Sequence, residues 1–329
     1  MQRPPTISLP QGVRDILPEE AREIEALERA ILPIFEAHGF ARVITPALEY
    51  LDVLSLGMGA ELNEQAVRFI DQSSGRVIAI RPDITAQIAR IVALHMKDYE
   101  LPLKLSYNAN VLRYIGGRTG RSLELRQIGA EFISEVQSPE TDAAMICMAI
   151  EAMEATGLKA FKIDIGDVGF LKSILADIEL TEKEQTRIKK AIARKDTQGL
   201  EAVLSAIGSI DAGQSQILLN LTTLYGEEEV MEKAGVGLAD GPAMDVLKNL
   251  KRVWAIISEK GYKDSVTFDL GEVRGFDYYT GIIFEGFADG IGKALLSGGR
   301  YDNLLGKYGY KCAATGFAFD VEAAVAALK

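Results

Sequence analysis

A chain of 329 residues, 48% of them apolar and 25% charged, is long enough to bury a large core and to form two domains. Its formal net charge of -11 argues against non-specific nucleic-acid binding, which needs clustered Lys and Arg against phosphates. No apolar run reaches the ~20 residues of a membrane span, and residues 1–10 carry no apolar signal region. Cys147 and Cys312 lie far apart without metal-ligand spacing, and His38 and His95 sit in no metal or triad signature. No metal is therefore expected, and the expected compartment is the reduced cytoplasm.

After a turn-rich opening over 10–18, a helix is predicted from Pro18, with Glu19 and Glu20 at its positive end. Ile24, Leu27, Ile31, Ile34 and Phe35 recur at helical spacing up to Gly39, and Pro33 is expected to kink or shorten the run. A strand over 41–46 stops at Pro46, and a second, over 77–80, leads into Arg81-Pro82-Asp83-Ile84-Thr85. Thr85 is expected to cap a helix running towards Met96. Strands over 104–114 and 123–133 flank a glycine-rich basic loop, 116–120. Ser138-Pro139-Glu140 starts a helix whose Met145, Met148, Ala152 and Met153 form a core face.

A strand over 161–165 ends the first part, 1–166. The segment 167–261 reads as a mostly helical insertion with its own small core. Strands over 265–270 and 282–287 open the last part, 262–329. There Ser297-Gly298-Gly299-Arg300-Tyr301-Asp302 reads as a tight turn, and 315–320 leads into an alanine-rich helix. Strands joined by short turns around an insertion predict an α+β fold with an antiparallel sheet. No G-x-G-x-x-G follows a strand and no P-loop occurs.

Polar candidates come from four places: Asp83 with Thr85; Arg113; Gln127 with Glu131; and Arg274 with Tyr278 and Tyr279. Gln127 and Glu131 are four apart on one strand and face the same side. A carboxylate and an amide there are costly to bury without partners. One resolution gives each a local mate such as Arg126 or Arg113. The other is a pocket for a small zwitterion, with carboxylates on its ammonium, an arginine on its carboxylate, and a tyrosine plus a glutamate on its polar side chain. The stretch 273–281 fits that pocket, or a turn with a packed tyrosine pair.

The chain resembles the catalytic core of histidyl-tRNA synthetase. Arg81-Pro82-Asp83-x-Thr85 matches that family's R-P-E-G-T, and Arg113 through Glu131 its motif 2 hairpin. Arg274-Gly275-Phe276-Asp277-Tyr278-Tyr279 matches R-G-L-D-Y-Y, and Gly298-Gly299-Arg300-Tyr301-Asp302 matches G-G-R-Y-D. Gly12-Val13-Arg14-Asp15 and Pro18 resemble the family's start, so the match covers essentially the whole sequence.

The resemblance implies a class II aminoacyl-tRNA synthetase-like antiparallel sheet flanked by helices, with a mostly helical insertion. It implies that Asp83, Thr85 and Gln127 take the α-ammonium of histidine, with Asp83 one methylene shorter than the family's Glu. Glu131 and Tyr279 would read the imidazole, Arg274 would lie near the carboxylate, and Tyr278 and Arg113 would complete the histidine site.

On the nucleotide side Arg113 stands for the motif 2 arginine, but the acid two residues on is Ile115 and the adenine-stacking aromatic is Leu125. The motif 3 arginine falls at Ala323, a lost charge-assisted contact of roughly 1.5–3 kcal/mol with a further rate cost. The sequence also stops where the family's anticodon-binding domain begins.

Together these point to a paralogous family, the regulatory subunit of short-form ATP phosphoribosyltransferase. The resemblance implies a non-catalytic, cofactor-free dimer that assembles with short catalytic subunits, activates them and transmits inhibition by L-histidine, with no role for tRNA. Alternatives are a free-standing histidine-activating ligase or truncated histidyl-tRNA synthetase, or a ligand-free pseudoenzyme in which Glu131 and Arg274 satisfy each other.

Overall fold

The alternating runs of the sequence assemble into one large sheet. The computed structural model describes residues 8–114, 123–275 and 278–329; Ile115, the basic loop 116–120 and the pair Phe276-Asp277 lie outside the described residues. In chain order the strands are β1 Ala41–Arg42, β2 Leu48–Tyr50, β3 Arg68–Ile70, β4 Val77–Ile80, β5 Leu103–Leu112, β6 Glu124–Ser134, β7 Phe161–Asp167, β8 Tyr225–Gly226, β9 Val266–Asp269, β10 Ile282–Ala288, β11 Leu296–Arg300 and β12 Ala313–Asp320. The nine-stranded sheet has the order β1-β5-β6-β12-β11-β10-β7-β9-β8.

From β5 across to β7 every pair is antiparallel, as expected. The outer pairs β1–β5 and β7–β9 are parallel, which corrects the purely antiparallel expectation. Both join strands far apart in sequence, and a parallel pair needs such a long crossover. A separate sheet, β2-β4-β3, did not emerge from the sequence.

Strand pleating divides the core. Ile128 and Ala130 of β6 face a layer containing the helices Pro18–Ala37 and Pro139–Ala155. On the opposite face, Ile133 joins Leu105 and Tyr107 of β5 and Ile88 and Val92 of the helix Thr85–His95. The helix Pro18–Ala37 runs through Pro33 and is not shortened by it. Proline removes one helical hydrogen bond there, while Ile24, Leu27, Ile31 and Phe35 bury the face that carries the helix. Gly39 closes it at φ +82°, donating its N–H to the Glu36 carbonyl at 2.9 Å. Ser138 caps the next long helix, accepting from the Thr141 N–H at 3.1 Å.

The segment 167–261 is mostly helical, with helices from Val168–Ala176 through Pro242–Glu259. It has no core of its own: Ile188, Leu200, Leu218 and Leu250 join the same buried cluster as Ile24 and Phe317. Its short strand β8 also hydrogen-bonds to β9 of the main sheet.

The predicted turn at Ser297 is the strand β11. A Cβ on Gly298 would stand 2.5 Å from the Gly316 carbonyl, and one on Gly299 2.6 Å from that of Ile282. These glycines permit close neighbours and turn no corner. Next to them Arg300 is buried, donating to Asp142 at 2.6 and 3.2 Å and to Asp302 at 3.1 Å. This ties β11 to the helix Pro139–Ala155. Arg300→Met strands the Asp142 carboxylate and is expected to cost about 3–5 kcal/mol, read as a lower urea midpoint. Adding Asp142→Leu recovers part of the loss, because the carboxylate left without Arg300 is then only Asp302, which is partly exposed and still accepts from the Thr280 hydroxyl.

Candidate ligand-binding site

Three positions of β6, Gln127, Gly129 and Glu131, share the face that looks towards the helix Thr85–His95. Two glycines make the space. A Cβ on Gly129 would overlap the phenol of Tyr107, and one on Gly316, opposite Glu131 in β12, would overlap the Glu131 carboxylate.

The carboxylate is 1% exposed. Its Oε1 accepts from the Thr85 hydroxyl at 2.8 Å and the Tyr107 hydroxyl at 3.0 Å, while Oε2 accepts from the Tyr301 hydroxyl. Every partner among the described residues is a neutral hydroxyl. Burial pushes the Glu131 carboxyl up to about 8, with the hydroxyl bonds pulling against it and the charge of Asp83 adding to it.

Asp83 sits beside this group with different company. Its Oδ1 accepts from Arg113 and from the Gln127 amide, each at 3.1 Å, and its Oδ2 accepts from the Thr85 N–H at 3.0 Å. Arg113 also donates to the Pro82 carbonyl at 2.6 Å. Asp83, not Thr85, thus supports the helix start, which frees the Thr85 hydroxyl for Glu131. Gln127 leaves its Oε1 buried without a partner among the described residues. Such an acceptor gains from any donor that reaches it. Arg81, from the same motif, is a brace: it donates to the Thr45 carbonyl at 2.8 Å and the Asn110 carbonyl at 2.7 Å.

The tyrosine pair stands against these groups. Tyr278 packs edge-on to Tyr279 at 5.0 Å and lies 5.7 Å from the ring of Tyr301. Both backbone N–H groups donate to the Gly275 carbonyl at 2.8 Å. Gly275, at φ +59°, lets the chain double back, and a Cβ there would overlap the Tyr279 ring. The Tyr279 carbonyl accepts from Lys172 of the helical segment at 2.7 Å.

Asp83, Thr85, Arg113, Gln127 and Glu131 therefore come together, with Tyr278 and Tyr279 against them. Arg274 is bonded to other acids: it donates to Glu272 at 2.8 Å, pairs also with Glu285, and lines a recess with Asp164, Ser297 and Tyr279. Arg274 and Glu131 are thus not each other's partners. Arg113 is the mate of Asp83, but Arg126 pairs with Glu28 and leaves Glu131 alone. Tyr107 and Tyr301 were missed as site residues. The signals for them were Gly129, which makes room across the ladder, and the tyrosine after Arg300. On the nucleotide side Leu125 packs against the apolar cluster on the pocket face, and Ala323 is fully buried in the helix Val321–Ala327.

Residues 12–324 match the protein-family model of histidyl-tRNA synthetase. The chain is 43% identical over 321 residues to an ATP phosphoribosyltransferase regulatory subunit from Geobacter sulfurreducens, covering 98% of this chain and 73% of that protein. It is 38% identical over 316 residues to the protein of that name from Moorella thermoacetica, covering 96% and 80%. Among solved structures, an ATP phosphoribosyltransferase regulatory subunit/histidyl-tRNA synthetase from Bacillus halodurans C superposes with a TM-score of 0.91 at 31% identity, covering 100% of this chain and 85% of that one. A histidine–tRNA ligase subunit from Alicyclobacillus acidocaldarius superposes with a TM-score of 0.82 at 26% identity, covering 99% and 98%.

The raised affinity of Glu131 for a proton has a consequence for stability. The folded chain keeps that proton up to a pH at which the unfolded chain has released it. Stability is therefore lost as pH rises through the interval, by about 1.4 kcal/mol per pH unit at most. Burial also raises Asp167, to about 7, and Asp164, to about 6, so they slope the same way. Glu131→Gln removes only its own share. Urea titrations between pH 5 and 8 are expected to show a shallower decline for the variant than for the parent.

Proposed function

Because the chain belongs to the ATP phosphoribosyltransferase regulatory subunits, within the histidyl-tRNA synthetase family, we propose that it is a non-catalytic sensor of L-histidine. It activates the short catalytic subunit and transmits feedback inhibition to it. The observation that carries the ligand assignment is the buried Glu131 carboxyl, supplied among the described residues with hydroxyls and no cation. A ring that brings an N–H, or a full positive charge, completes it. The ligand ammonium fits between Asp83 and the unpartnered Gln127 oxygen, and Tyr279 closes over the ring.

The ligand carboxylate requires a donor, and Arg274 serves only if it leaves Glu272 or Glu285. Competition between three carboxylates for one guanidinium offers a physical basis for linking pocket occupancy to the 272–281 segment. Lys172 extends that link to the helical segment through the Tyr279 carbonyl. Histidine shifts the assembly only by binding one state better than another, typically by about 1–3 kcal/mol. Loss of amino-acid activation by ATP is supported by Ala323, a buried methyl group where the related family carries an arginine. The proposal includes a dimer of this chain, a hetero-oligomer with the catalytic subunit, a cytoplasmic location, and no bound cofactor or tRNA.

The test follows phosphoribosyl-ATP formation by the short catalytic subunit from the same source, with and without this chain, while L-histidine is titrated. Activation by the chain, and inhibition by histidine only in its presence, are expected. An unchanged rate together with histidine-dependent ATP–pyrophosphate exchange would make the chain a ligase instead. Within the pocket, Tyr279→Phe is expected to weaken histidine by about 0.5–1.5 kcal/mol. Glu131→Ala costs more, because a partner that can carry charge is lost. Calorimetry that finds both variants binding like the parent refutes the assignment.

A further inference from the structure

Glu131 is unusual for what it lacks as much as for what it touches. From β5 it meets the Tyr107 hydroxyl, from the residue after β11 the Tyr301 hydroxyl, and from the helix Thr85–His95 the Thr85 hydroxyl. Opposite it, β12 contributes Gly316, which has no side chain. The charged groups nearby are Asp83, on the turn before the helix, and Arg113, which Asp83 holds through an ion pair. On its own strand stands neutral Gln127, and the 278–279 segment adds the phenols of Tyr278 and Tyr279, both driven further from ionisation by burial. Among the described residues no cation is placed to balance a Glu131 anion, and Asp83 opposes one.

Consider a ring that can both accept and donate a proton near neutrality, facing such a carboxyl in a dry site. With two protons between them, an unbalanced cation is buried. With none, an unbalanced anion is buried. With one, the pair is either a neutral hydrogen bond or a compensated ion pair, and both satisfy the site. Resting on the reading that the pocket takes histidine, we propose that Glu131 and the ligand ring hold a single proton between them. Binding is therefore tightest within a window of pH, releases a proton on the acid side and takes one up on the alkaline side.

The edges of the window are set by the two free groups. On the acid side the ring titrates at about 6.5. On the alkaline side Glu131 in the empty pocket titrates at about 8. Beyond each edge affinity falls towards tenfold per pH unit, because one proton must be moved before the pair can form. Between the edges one partner already holds the proton, and none is exchanged with solvent. The sensor would thus report histidine most strongly in the neutral range and lose sensitivity on either side, with no separate pH-sensing residue.

Calorimetric titration of the whole chain with L-histidine tests this at pH 5.5, 7.2 and 8.5, each in two buffers of different ionisation enthalpy. The number of protons exchanged then follows from the difference in heat, after correction for the ligand's own α-amino titration. The expected result is release of most of a proton at pH 5.5, none at 7.2 and uptake at 8.5, with the tightest binding at 7.2. Glu131→Gln is expected to bind more weakly and to lose the alkaline uptake, since the ring then faces a side chain that does not titrate. Histidine binding with equal affinity and no proton exchange at all three values would overturn the shared proton while leaving histidine recognition intact. Absence of binding at every pH would overturn the functional reading beneath it.

Discussion

The pocket depends on the Glu131 carboxyl, buried with no counter-charge among the described residues. Burying the Glu131 carboxylate costs several kcal/mol unless it is hydrogen-bonded, and the three hydroxyls around it supply those bonds without supplying charge. The site is thereby stable enough to exist while its acid still lacks a counter-charge among the described residues. A structural ion pair, such as Arg300 with Asp142, closes the account locally and leaves nothing for a ligand to do. Glu131 and its neighbour Asp83 differ in this respect although both are acids on one face. Asp83 has Arg113, and Glu131 has only dipoles.

That arrangement is a property of the sheet more than of any loop. Pleating sends Ile128 and Ala130 into one core layer and Gln127 and Glu131 into the opposite space. Gly129 and Gly316 then withhold the Cβ atoms that would fill it. On the far side of the sheet, Arg300 pins β11 to the helix Pro139–Ala155, so Tyr301, one residue later, reaches Glu131 from a fixed base. The position of the Glu131 carboxyl therefore rests on sheet backbone. Arg274 is held apart from this face, its guanidinium paired with two glutamates.

Much of this was legible in the residues. Alternation identified β4 at its observed bounds and β5, β6 and β10 to within a residue or two, and Ser138-Pro139 marked a helix start because its capping chemistry is local. The four-residue spacing of Gln127 and Glu131 fixed their common face for the same reason. Features set by distant chain were less visible. Strands as short as β2 and β3 carry too little periodicity to announce a second sheet. Gly298 and Gly299 have the composition of a turn, and only the neighbours pressing on them make them strand. The helical segment shows its helices but not that their apolar faces merge with the main core. The partners of Arg274 were hidden because Glu272 and Glu285 reach it from two separate elements, and no spacing rule links the three.

A ligand that fills the pocket must stabilise the folded chain, by about 2.7 kcal/mol at one hundred times its dissociation constant. Thermal melting of the isolated chain at pH 7 with rising L-histidine, beside the Glu131→Ala variant, addresses the central claim without needing the catalytic subunit. The account predicts a melting temperature that climbs with histidine in the parent and stays level in the variant. Melting that histidine leaves unchanged in the parent would mean that the buried carboxyl serves the fold alone.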